Sequence, residues 1–116
     1  MTGSAKRKGD AAEREIATEL HLLTGWPIRR RLGAGRQDDE GDLDGIPDTV
    51  AQVANWADAL RAVRTKPIEA EQQRRNAGAT HAVTLVRLRG GTWRAVLTIE
   101  QLATLLREAV GGKEAE

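Results

Sequence analysis

Asp42 and Gln52 stand ten residues apart in the stretch 41–55, which reads Gly-Asp-Leu-Asp-Gly-Ile-Pro-Asp-Thr-Val-Ala-Gln-Val-Ala-Asn. Oxygen side chains at that spacing can meet across a turn. Gly45 to Asp48 has turn chemistry and Thr49, Val50 and Val53 are β-branched, so a strand, a tight turn and a second strand are predicted, with Asp42 roughly opposite Gln52. Strand alternation then puts Asp42 and Asp44 on one face with Gln52 and Ala54, and Leu43, Ala51 and Val53 on the other. Hard oxygen donors gathered this way suit Mg²⁺ or Mn²⁺ with retained waters. The plainer account of Asp-Leu-Asp-Gly is turn chemistry alone, and Asp44 beside Gly45 fits it well.

A third carboxylate comes from the element before the hairpin. From Gly9 to Thr24, Ala12, Ile16, Leu20 and Leu23 recur at helical spacing, and Gly25 stops the run. Glu13 lies at the margin of the inward face, with Ile16, Ala17 and Leu20 following at i+3, i+4 and i+7. A carboxylate placed there needs a partner, and its Lys-Gly-x-x-x-Glu-Arg-Glu setting favours a metal or active-site role over a solvated one. Glu15 and Glu19 are expected to face solvent, and Arg14 to contact phosphate or pair within the helix.

An Asp, then about ten residues later a Glu or Gln, one spacer and a Lys is the signature of the PD-(D/E)XK nuclease superfamily, which this stretch resembles. Within it the chain is most similar to the archaeal and phage Holliday junction resolvases, from about Lys8 to Leu105. The resemblance implies a restriction-endonuclease-like α/β core, a central mixed β-sheet flanked by helices. It also implies a homodimer that resolves four-way DNA junctions by paired nicks. Glu13, Asp42 and Gln52 would then hold the divalent metal, with the Val53 backbone carbonyl as a further ligand. The lysine that helps to activate water in that family would stand where this chain has Ala54. That departure implies binding with little or no cutting. Ala54 has two readings: a natural change to a non-catalytic DNA-binding protein, or a Lys-to-Ala replacement that traps a complex, which the retained Glu13, Asp42 and Gln52 favour. A nuclease on other branched or duplex DNA is a further alternative.

Basic residues flank this centre. Residues 1–37 hold eight Lys or Arg against four acids, 38–58 hold seven acids and no base, and 59–116 hold ten bases against six acids. A polyanion-binding protein that concentrates metal at one point has this pattern, although the net charge is only +1. Lys6, Arg7 and Lys8 fall in a flexible basic arm (1–8), which can equally be a frayed terminus. Arg29, Arg30 and Arg31 lie on a first strand, Trp26 to Leu32, and Arg36 on a Gly-rich acidic loop, 33–40, which the family resemblance implies would approach the DNA backbone. Lys66, Arg74 and Arg75 lie on a helix predicted to open at Lys66-Pro67 and end at Gly78. For each of these cations a solvated surface is the plain alternative. Trp56 is read as packing in a loop or interface rather than stacking on a base.

The remaining elements read as a hairpin, Thr80 to Arg89 and Thr92 to Thr98 about Gly90-Gly91, with Arg87, Arg89 and Arg94 near its tip. A last helix from Ile99 to Ala109 follows, with Thr98 as its cap and Leu102, Leu105 and Leu106 closing the core or a dimer; a charged tail (111–116) ends the chain. One domain (9–110) is expected from 116 residues. Without cysteine, disulfides and thiolate metal sites are excluded, and two histidines make no zinc site unaided. No apolar run approaches the roughly 18 residues of a membrane span, and a cytoplasmic protein is expected.

Overall fold

The computed structural model describes residues 2–32, 40–55 and 57–114, with side chains from 9 to 111 among them. The described chain runs α1 (Thr2–Thr24), β1 (Arg29–Arg30), β2 (Leu43–Asp44), β3 (Thr49–Ala54), α2 (Ala59–Ala77), β4 (His81–Arg87), β5 (Trp93–Val96) and α3 (Ile99–Glu114). This is the expected order of elements in an α/β protein. The strands form two sheets rather than one: a mixed sheet ordered β3-β4-β5 and an antiparallel β1-β2 ribbon. Parallel pairing of β3 with β4 needs a crossover, which α2 supplies.

Alternation along the strands divides the interior. Ala51 and Leu85 pack with Ile16 and Ala17 of α1 and with Ile28 and Leu43. Ala54 and Val86 face the other way and pack on Ala62 of α2. In register, Gln52 stands beside Thr84 and Ala54 beside Val86, so position 52 also belongs to the α2 side.

Several boundaries differ from expectation. Helix α1 begins at Thr2, so the backbone expected as an arm continues the helix. Lys and Arg propagate a helix well and one glycine costs only about 1 kcal/mol, so Gly9 does not break it. The first strand shrinks to Arg29–Arg30. Helix α2 starts at its cap Asp58, whose side chain accepts from the Arg61 N–H at 3.1 Å, and runs through Pro67 instead of opening there. Ala62, Pro67 and Ala70 are all buried, so packing on the sheet holds both halves on one axis against a local proline cost of about 3 kcal/mol. Gly78, at φ 66°, ends α2 as expected.

Helix α3 opens on a reciprocal cap: Gln101 N–H donates to Thr98 Oγ1 at 3.1 Å and Thr98 N–H to Gln101 Oε1 at 2.9 Å. It continues past Gly111-Gly112 to Glu114. Its leucines do not close the core. Leu102, Leu105 and Leu106 are exposed, and buried Gln101 docks the helix by donating to Glu71 and to the Pro67 carbonyl.

Candidate metal and nucleic-acid site

Asp42 is tied to the free edge of β3 by backbone and side chain together. Its N–H donates to the Ala51 carbonyl at 2.8 Å, its carbonyl accepts from Arg31 N–H at 2.8 Å, and its Oδ2 accepts from Val53 N–H at 2.8 Å. These bonds straddle Gln52, so Asp42 does lie across from it. The expected ladder between β2 and β3 is nonetheless absent among the described residues: β2 pairs with β1, and the Asp42 carboxylate takes a ladder position on β3. A strand residue's N–H and C=O point the same way, so the Val53 carbonyl faces this edge too. Gly41 makes the approach possible. At φ 98°, any Cβ on it would sit 2.9 Å from both the Ala51 carbonyl oxygen and Val50 Cγ1.

Glu13 comes to this edge from α1. Its Oε1 accepts from Arg30 Nε at 3.1 Å, and Arg30 Nη2 reaches Asp10 at 2.8 Å. Burial, followed by the nearby charges of Asp42 and Asp10, holds the Glu13 pKa above the usual carboxylate value despite Arg30. Glu13 and Asp42 are therefore close enough to repel.

Gln52 is 5% exposed and turned toward α2, where its Nε2 donates to Glu69 Oε1 at 3.1 Å. Its Oε1 is buried with no hydrogen-bond donor. Asp44, expected to project with Asp42, instead accepts from Arg31 at 2.7 Å. Among the described residues no three His, Cys, Asp or Glu side chains gather closely enough to hold a metal. Asp42 and Glu13 are brought near one another, whereas the Gln52 amide lies on the α2 face of the sheet, away from α1; carboxylate, amide and carbonyl oxygens are donors of the type that suits a hard divalent cation keeping several waters. Ala54 is 1% exposed and packed against Ala62.

The cations expected to touch DNA divide into two groups. Arg30 is committed to Asp10 and Glu13, Arg31 to Asp44 and Glu40, Arg74 to Glu71 and the Ala79 carbonyl, Arg75 to Gln72, and Lys66 to Glu69. Arg14 and Arg29 are exposed. A cleft of about 340 Å³ lined by Arg29, Arg30, Arg31, Leu32 and Asp44 opens beside the Asp42 edge. The side chains of Lys6, Arg7 and Lys8, and the whole of Arg36 and Trp56, lie outside the described residues.

Glu15 is exposed, as expected, and also accepts from Arg87 Nε at 3.0 Å and Trp93 Nε1 at 2.7 Å. His81 Nε2 lies 3.0 Å from Glu108 Oε2, and His21 Nδ1 lies 2.6 Å from the Trp26 carbonyl. Glu69 and Asp10 are site neighbours that the sequence reading missed. Spacing offered one signal, since Ala62, Lys66, Glu69 and Gln73 recur at i, i+4, i+7 and i+11 along one face of α2. Comparison with protein-family models, curated proteins and solved structures found no match.

Proposed function

We propose that this chain is a metal-dependent endonuclease of the PD-(D/E)XK type, with a restriction-endonuclease-like core, that nicks branched DNA and four-way junctions in particular. The observation behind it is the edge of β3. There Asp42 is fixed by the Val53 N–H and lies near enough to Glu13 to raise its proton affinity, and Gln52, the residue before Val53, carries a buried amide oxygen without a donor. Glu13, Asp42, Gln52 Oε1 and the Val53 carbonyl would hold Mg²⁺ or Mn²⁺. When bound, such an ion supplies Lewis acidity and an activated water for in-line attack on a phosphodiester. The chain's own part is to orient those donors: Val53 N–H fixes the Asp42 carboxylate, Glu69 fixes the Gln52 amide, and Arg30 fixes Glu13. The basic cleft at Arg29 to Leu32 is where phosphate would sit, read through backbone shape rather than base edges.

A binding protein without cleavage is the second reading, favoured by the buried Ala54 on the strand face of Gln52. The test compares this chain and Ala54→Lys on a labelled four-way junction and a matched linear duplex, with Mg²⁺ and with chelator. Metal-dependent nicking that prefers the junction, by either protein, supports the nuclease. Binding without cutting by both leaves a DNA-binding protein.

A further inference from the structure

We infer that Arg30 gates metal loading: its guanidinium holds Glu13 until a phosphate in the adjoining cleft draws it away, so that divalent cation and nucleic-acid backbone bind cooperatively. The inference rests on the nuclease reading above and concerns the regulation of that same site. Arg30 reaches two carboxylates of α1 at once, with Nε 3.1 Å from Glu13 Oε1 and Nη2 2.8 Å from Asp10 Oδ1. In the β1-β2 ribbon it stands opposite Leu43, the residue after Asp42, and the next N–H, that of Arg31, donates to the Asp42 carbonyl at 2.8 Å. The same residue lines the cleft it shares with Arg29, Arg31, Leu32 and Asp44. Arg31 is turned to Asp44 and Glu40, and Arg29 is exposed. Of the three arginines, Arg30 is the one that joins the cleft to Glu13.

Charge decides what this contact does. The Arg30 guanidinium stands among Asp10, Glu13 and Asp42, and its side chain is 22% exposed, so these charges are only partly screened. A divalent cation on Glu13 and Asp42 would compete with Arg30 for Glu13 and repel its positive charge. Phosphate in the cleft attracts the same guanidinium, because the arginine fork makes paired, charge-assisted bonds to phosphate oxygens. Metal and phosphate therefore both favour the arrangement in which Arg30 has left Glu13. Two ligands that favour one arrangement strengthen each other's binding, and by the same factor in either order. The contact that fixes Glu13 is thus also the one that withholds it.

The test uses the full chain with Arg30→Gln, Arg30→Lys and Glu13→Gln. Calorimetry gives Mg²⁺ affinity without DNA, and fluorescence anisotropy gives affinity for a short linear duplex in Mg²⁺ and in Na⁺ of equal ionic strength. Without DNA, Arg30→Gln should bind Mg²⁺ at least about five-fold more tightly than the parent. Arg30→Lys, which keeps the charge but not the fork, should fall between them, and Glu13→Gln should lose binding. The gain in duplex affinity on replacing Na⁺ with Mg²⁺ should be at least about five-fold larger in the parent than in Arg30→Gln. Should Arg30→Gln fail to fold, Arg30→Lys decides both comparisons in the same direction at smaller size. Equal or weaker Mg²⁺ binding in the Arg30 variants, with binding still lost in Glu13→Gln, overturns the gate and leaves the metal-site reading standing. An equal gain in duplex affinity in parent and variant overturns it too, since release of Glu13 would then be independent of the backbone. If neither the parent nor any variant binds Mg²⁺, the metal-site reading fails and takes the gate with it.

Discussion

Glu13 meets one guanidinium and two like charges in a partly buried position, and the balance decides how it titrates. Burial, with Asp42 and Asp10, outweighs Arg30, so its folded pKa lies above its unfolded value. The folded state then binds more protons between those two values, and stability is lost as pH rises through that window. Glu13→Gln removes this loss. Urea unfolding of the two proteins should show the variant gaining on the parent as pH is raised from below the ordinary glutamate range to neutrality; a difference that does not vary with pH would sink the assignment. Bound cation would offset the same repulsion, so under the metal-site reading Mg²⁺ affinity should weaken as pH falls and Glu13 protonates. Glu15 has the opposite sign. Hydrogen bonds from Arg87 and Trp93 hold its pKa below the usual range, so its contribution is present near neutrality and lost as pH falls through the lowered value. Because it is exposed, Glu15→Gln should cost less than about 1 kcal/mol at neutral pH and nothing in acid, as read by thermal melts.

The β1-β2 ribbon and the edge of β3 depend on one glycine each. Gly45 passes against the Pro27 backbone and Gly41 against Ala51, both at φ 98°. Gly41→Ala must move Asp42 away from β3, breaking the bond to Val53 N–H. It should destabilise the fold by about 1–3 kcal/mol. Under the metal-site reading it should also weaken Mg²⁺ binding more than Gly9→Ala does, since nothing lies within 4 Å of a Cβ at position 9. Calorimetric titration of the two variants decides this. The element order, the β4-β5 hairpin and the place of Asp42 opposite Gln52 were all legible, because period-two alternation and turn residues are local signals. What was not legible depended on tertiary contact. Pro67 reads as a helix start until Ala62 and Ala70 are seen buried on either side of it. Leu43 and Asp44 look like a hairpin partner of β3 until Arg29 and Arg30 take the pairing. Glu69, 17 residues from Gln52 in sequence, becomes its neighbour only when α2 folds back.

At the scale of the whole molecule, α3 leaves an apolar stripe without a covering element among the described residues. Ile99, Leu102, Leu106 and Val110 follow at helical spacing, Leu105 lies beside them, and all are 38% or more exposed. The buried side of that helix is polar, docked through Gln101, so the leucines are not a core turned inside out by a small rotation. Burial of one such leucine is worth about 1.5–3 kcal/mol, and a two-fold dimer uses every buried side chain twice. A second copy of this chain is the occupant that the paired nicking implied by the family resemblance would require. If a second copy docks on this face, Leu102→Glu with Leu106→Glu should shift the protein from dimer to monomer in light scattering across micromolar concentrations, and leave the melting of the monomer fold within a few degrees. Under the nuclease reading the same variant should still nick a junction singly, while the paired cuts of one binding event disappear. A parent protein that is already monomeric at high concentration would remove this face as the dimer surface.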